Sequence, residues 1–209
     1  NVEASWFKQN IDTKEMPTLT DDQSRIVDAI SKKLGEGYSS HLLYGVTGSG
    51  KTEIYMQLID HAIKDGGKAI VLVPEISLTP QFEELFIIRF GFAPDIWHSK
   101  VTEKKKKIIW HRCYHGKSTI VVGARSSLFL PFNNLGLIVV DEEHDLSFKQ
   151  EDNIRYQARD LAIVKAKIEK IPILLSSATP SLETHHNIET KKFTHLFLSR
   201  YFFAFLIFE

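Results

Sequence analysis

Residues 45–52 read Gly45-Val46-Thr47-Gly48-Ser49-Gly50-Lys51-Thr52 and meet the pattern G-x-x-x-x-G-K-[ST] at every fixed position. Before them, His41-Leu42-Leu43-Tyr44 reads as a short buried strand. After them, Ile54, Leu58, Ile59, Ala62 and Ile63 recur at helical spacing through residues 53–64. Strand, glycine-rich loop and helix in that order are the context a phosphate-binding loop needs. Gly45, Gly48 and Gly50 let the backbone turn its N–H groups toward one point. The helix opening near Lys51 adds the positive end of its dipole. In that arrangement Lys51 reaches the β- and γ-phosphates of a nucleotide, and the Thr52 hydroxyl ligates Mg²⁺.

Working outward, Leu19-Thr20-Asp21-Asp22-Gln23 opens a helix with Thr20 as N-cap, and Gly35 and Gly37 close it. Gln23 has two readings: partner of Thr20 in a capping box, or a reader of the adenine edge. The candidate nucleotide site is therefore Gln23 with Gly45, Thr47, Gly48, Ser49, Gly50, Lys51 and Thr52. Downstream, residues 68–73 (K-A-I-V-L-V), 118–122 (S-T-I-V-V), 135–140 (L-G-L-I-V-V) and 171–175 (I-P-I-L-L) are continuous apolar runs, as in parallel strands covered on both faces. Residues 95–99 read as a short strand and turn. Helical patterns fall at 82–90, 103–115, 156–170 and, shorter, 181–189. Alternating strands and helices predict an α/β fold with a parallel sheet.

Polar clusters follow the strands, where an open parallel sheet binds its ligand. Val139-Val140 delivers Asp141-Glu142-Glu143-His144 to the sheet edge. Asp141 is placed to hold Mg²⁺, and Glu142 to orient or deprotonate an attacking water. His144 is a poor Mg²⁺ ligand and is better suited to bridge to the next strand's loop. There Ser177-Ala178-Thr179 offers hydroxyls, read either as ordinary turn residues or as a coupling element toward His144 or Glu142. Residues 149–160 are polar with Phe148 and Tyr156 interleaved, so they are either a base-stacking, phosphate-touching loop or a solvated one. Arg125 is a phosphate contact or a salt-bridge partner. The run Lys104 to Lys107 is a solvated face or a phosphate-contacting one. His98, His111, His115, His185 and His186 have no metal-ligand spacing.

The formal net charge of the 209-residue chain is zero, which excludes a uniformly basic nucleic-acid binder but not a local basic stripe. Cys113 is the one cysteine, so an internal disulfide and a cysteine-rich zinc site are excluded. With no signal-peptide pattern and no apolar run of bilayer length, the reading expects a cytoplasmic location and no membrane partner. Asn1 is not Met, and residues 1–18 read as a linker or the end of a preceding domain, so the expectation is a segment of a longer protein.

The ordered blocks L-T-x-x-Q (19–23), G-V-T-G-S-G-K-T (45–52), P-E-I-S-L-T-P-Q (74–81), W-H-S (97–99), V-V-G-A-R-S-S-L-F-L-P-F (121–132), L-I-V-V-D-E-E-H-D (137–145), Y-x-A-R-D (156–160) and S-A-T-P-S-L-E-T (177–184) resemble the first motor lobe of the primosomal protein N′ (PriA) helicases of superfamily 2. The resemblance covers about residues 19–200. It implies a RecA-like P-loop NTPase lobe, with a parallel sheet and helices on both faces. It also implies ATP and Mg²⁺ as cofactors, 3′→5′ unwinding of DNA at stalled forks, and loading of the replicative helicase during restart. The implied partners are forked or single-stranded DNA, the second helicase lobe and primosome proteins. By position, Lys51, Asp141, Glu142 and His144 are the implied catalytic set, Thr52 and Asp141 the metal ligands, and Ser177 and Thr179 the coupling residues. Pro74, Thr79, Arg125, Ser126, Lys149, Arg155 and Arg159 are the implied DNA contacts.

Three departures stand against the family pattern. The N-terminal DNA-binding domains, the cysteine-rich zinc insertion and the second lobe with its arginine fingers have no counterpart in these 209 residues. Ala124 stands where the family usually carries Thr. Residues 201–209 form an apolar tail unlike the family, as expected of a truncation or frameshift product. Two other functions are therefore weighed: a non-catalytic nucleotide- or DNA-binding fragment, and another superfamily 2 DNA translocase.

Overall fold

A computed structural model describes residues 18–152 and 154–198. The expected linker at 1–17 and the tail at 201–209 lie outside the described residues. The element order is α1 (Asp21–Ser31), β1 (Ser39–Gly45), α2 (Lys51–Lys64), β2 (Lys68–Leu72), α3 (Pro80–Phe90), β3 (Asp95–Trp97), α4 (Glu103–Tyr114) and β4 (Ile120–Gly123). There follow β5 (Leu135–Asp141), β6 (Lys149–Gln150), β7 (Tyr156–Gln157), α5 (Ala158–Glu169), β8 (Pro172–Ser177), α6 (Leu182–Glu189) and β9 (Thr194–Leu198).

Seven strands form one parallel sheet in the order β3-β4-β2-β5-β8-β1-β9. Its apolar runs are continuous because both faces are covered, and successive side chains alternate between the two cores. Leu43, Ala69, Val71, Leu137, Val139 and Leu174 face α1, α2 and α3. Leu42, Ile70, Ile138, Val140, Ile173 and Leu175 face α5, which presents the small-residue stripe Ala158, Ala162 and Ala166. On that same face Val121 of β4 packs against Ile109 and Cys113 of α4.

Three strands depart from the sequence expectation. Thr194–Leu198 adds β9 beside β1, although its alternation is broken and mostly exposed, as suits an edge. The helix expected from residue 156 starts at Ala158. Tyr156 and Gln157 instead pair antiparallel with Gln150 and Lys149, so these four residues are the paired arms of a small hairpin.

The order of strands positions the site. From β1 the chain crosses to β2, and the gap between them is filled later by β5 and β8. Leu43, Ser176 and Asp141 therefore lie in one row across β1, β8 and β5. The loops at the carboxyl ends of these three strands open to the same side, which is where such a sheet binds ligand.

Candidate functional site

The loop after β1 is shaped by its glycines in two different ways. Gly48 and Gly50 adopt φ of 78° and 88°, a region side chains resist. Gly45 is needed for space instead: a Cβ there would lie 2.6 Å from Ser49 Oγ and 2.9 Å from Leu198 Cβ. Lys51, in the first turn of α2, is buried. Its ammonium donates to the carbonyls of Gly45 at 2.7 Å and Val46 at 3.2 Å. Ser49 is buried too, and its Oγ has no hydrogen-bond partner. Thr47 and Gly48 are exposed at the loop tip.

Gln23 is the capping-box partner of Thr20 and also reaches the phosphate-binding loop. Its Oε1 accepts from Thr20 N at 2.9 Å and Thr20 Oγ1 accepts from Gln23 N at 3.3 Å, which is the capping box. Its Nε2 donates to Ser49 O at 3.3 Å, inside the phosphate-binding loop. Gln23 is 1% exposed, so the box and the loop are one buried unit.

At the end of β5, Asp141 accepts from the Tyr55 hydroxyl at 3.2 Å and from Glu142 N at 3.1 Å. Burial pushes the Asp141 carboxyl up, opposed by these hydrogen bonds and by the Lys51 ammonium. Glu142 holds φ of 49°, a strained value for a non-glycine residue. Burial first, and then the Asp141 charge, raise its carboxyl as well. His144 Nδ1 lies 2.8 Å from Ser177 Oγ and 3.6 Å from a Glu142 oxygen. Ser177 Oγ also accepts from Thr179 N at 3.0 Å. The hydroxyl thus connects the acidic loop to the turn after β8.

Glu143 was not singled out in the sequence, yet it is the fully buried member of the acidic run. It accepts from Arg159 at 3.1 Å, from Ser181 N at 2.8 Å and from the hydroxyls of Ser181 and Thr184 at 3.2 and 3.1 Å. A buried carboxylate needs this many donors. The signal available in the sequence was the order D-E-E-H, which does not say which glutamate points inward.

The DEAD/DEAH box helicase family matches residues 20–188. The chain belongs to that family. It is 52% identical to the Replication restart protein PriA of Haemophilus influenzae over 164 residues, covering 78% of this chain and 22% of that protein. To the Replication restart protein PriA of Rickettsia prowazekii it is 51% identical over 178 residues, covering 85% of this chain and 27% of that protein. The chain thus spans about a quarter of the length of the curated relatives it matches, and the resemblance drawn from its motifs is shown. Among solved structures, RecG bound to a three-way DNA junction matches with a TM-score of 0.63 at 23% identity, covering 86% of this chain and 24% of that one. At that identity the likeness speaks to the fold.

As a DEAD/DEAH box helicase lobe, the chain presents the expected DNA-side residues unevenly. Thr79, Ser126, Lys149 and Arg155 are exposed, although Thr79 also caps α3 and Lys149 pairs with Glu151. Pro74 is buried at the end of β2, so it shapes the segment rather than presenting a surface. Arg125 is half-buried and, among the described residues, makes no salt bridge. Its guanidinium donates to the carbonyls of Ser147 and Lys149 at 3.1 and 2.7 Å and holds the base of the hairpin. Arg159 is a correction: 5% exposed and committed to Glu143, Asp160 and Ser181, it has no face left for a DNA phosphate. Among the described residues no helix is long and apolar enough to cross a membrane.

Proposed function

We propose that residues 19–200 are the ATP-binding lobe of an ATP-dependent DNA helicase that moves 3′→5′ and serves replication restart and primosome assembly. The observation that carries this reading is the convergence of Lys51, Asp141, Glu142 and the His144–Ser177 pair on three neighbouring strand ends. It occurs in a chain about half identical to restart helicases.

The donor set fits ATP with Mg²⁺. The Lys51 ammonium is held by two loop carbonyl oxygens, the unpartnered Ser49 Oγ lies within the loop, and Thr52 and Asp141 supply hard oxygen ligands. Bound Mg²⁺ would neutralise charge on the β- and γ-phosphates. Lys51 exchanges the Gly45 and Val46 carbonyls for phosphate oxygens. Glu142, its carboxyl raised by burial and by the Asp141 charge, orients the attacking water and takes its proton. His144 and Ser177 report the state of that carboxylate to the turn carrying Thr179. Thr79, Ser126, Lys149 and Arg155 face the DNA strand. A second lobe supplies the arginine that completes catalysis, and restart proteins are the assembly partners.

The test is Mg-dependent ATP binding by this chain, wild type against Lys51→Ala, followed by ATPase with and without forked DNA. Binding that is lost with Lys51 while the circular dichroism spectrum is unchanged supports the reading. Equal nucleotide affinity in the two proteins overturns it.

A further inference from the structure

Helix α4 carries a feature that the nucleotide site does not use. Its inward side, Ile109 and Cys113, packs on β4. Its outward side bears four aromatic rings in register. Trp110 stacks on Tyr114 with centroids 5.5 Å apart and planes 8° apart, and His111 stacks on His115 at 6.2 Å and 10°. Trp110 and Tyr114 are 42% and 57% exposed. Rings spaced four residues apart on a helix fall on one face, one turn above another. Burial in this lobe does not explain them.

The N-terminal end of α4 is cationic, and helical spacing brings Lys107 beside Trp110 and Lys104 in line with His111 on the ring-bearing side. Lys104, Lys105 and Lys107 are exposed, while Lys106 is tied to Glu103 at 3.0 Å. Between the lysines and the rings lies a cavity of about 300 Å³ lined by Trp97, Glu103, Lys106, Lys107, Trp110 and His111. That volume is at the lower end of ligand-binding cavities. Its far wall, Trp97, donates from Nε1 to Ser126 Oγ at 3.0 Å, and its carbonyl accepts from Ala124 N at 2.9 Å. The cavity therefore adjoins the 123–127 segment that the proposed function turns toward DNA.

We propose that this α4 face is a single-stranded DNA subsite flanking the main track. Bases stack on Trp110 and against Trp97, and backbone phosphates lie along Lys104 and Lys107. The proposal rests on the reading of the chain as a DNA motor lobe and deepens it. Exposed indole and phenol rings beside unpaired-strand phosphates are the recurring solution for sequence-tolerant single-strand binding. A duplex is disfavoured because its base faces are already stacked on one another. A protein partner is disfavoured because lysines are depleted where proteins meet.

The test is photocrosslinking of the full chain to an oligothymidine carrying 5-iodouracil, with adducts mapped by mass spectrometry, alongside fluorescence anisotropy of a labelled oligothymidine. Adducts on the 97–115 peptides are expected, together with affinity weaker by about 5- to 150-fold in Trp110→Ala and near wild type in Trp110→Phe. Lys107→Gln should lower the slope of log affinity against log salt by roughly 0.7. Adducts confined to other segments, or Trp110→Ala binding as wild type does, overturn the proposal. So does self-association in sedimentation that Trp110→Ala abolishes while oligothymidine affinity stays unchanged, since the face is then a protein interface. Mg-ATP binding by Trp110→Ala should be intact, so failure here is distinct from failure at Lys51.

Discussion

At the scale of single residues, the acidic run divides its labour by direction. Asp141 and Glu142 open toward Lys51, while Glu143 turns into the protein and meets Arg159. Removing one member of a buried ion pair strands the other charge, which costs about 3–5 kcal/mol, whereas replacing both can be nearly neutral. Arg159→Ala is therefore expected to lower unfolding free energy by about that amount in urea titration. The double variant Glu143→Gln with Arg159→Met should recover most of it. An Arg159→Ala loss below about 1 kcal/mol would show that the pair is not the anchor described here.

At the scale of elements, β1 is the strand on which the site depends, flanked by β8 and β9 and running directly into the phosphate-binding loop. It carries an unexpected passenger, the buried His41. Burial, and secondarily the Lys33 charge, hold its imidazole down at about 4 against an ordinary 6.5. The folded state resists the proton that the unfolded chain accepts below pH 6.5. Stability from this group is thus fully present above that pH and is lost as pH falls toward 4, by about 3 kcal/mol in all. Unfolding titrations of wild type and His41→Gln should diverge across this window, with the variant showing the flatter profile. Parallel profiles would mean that His41 is accessible to water.

At the scale of the whole molecule, one parallel sheet brings three loops to a common edge, and the catalytic groups proposed there are those of one lobe. The proposed reaction needs a transition-state arginine from a second lobe, and such an arginine is worth ~10³-fold or more in turnover. The 209-residue chain by itself is therefore expected to bind Mg-ATP yet hydrolyse it slowly, with little stimulation by forked DNA. Fast DNA-stimulated turnover by this chain, measured by phosphate release, would refute the two-lobe requirement. Restoration of turnover by a polypeptide carrying the second lobe would support it.

What the sequence by itself determined was everything local. The phosphate-binding loop, the buried strands, the cap at Thr20, and the order of the polar clusters all follow from spacing and period, which a few neighbouring residues express. The tertiary structure alone decided partnership. It seated β8 between β1 and β5, so that Asp141 and the phosphate loop share an edge. It gave Gln23 a cap and a loop carbonyl at once, turned Glu143 inward, tied Arg125 to two backbone carbonyls, and buried Arg159. It added β9, whose broken alternation had no strand signature, and set Trp97 across a cavity from Trp110. Each of these depends on contacts between residues far apart in the chain. Periodicity tells which face of an element is apolar, but not which distant element will cover it.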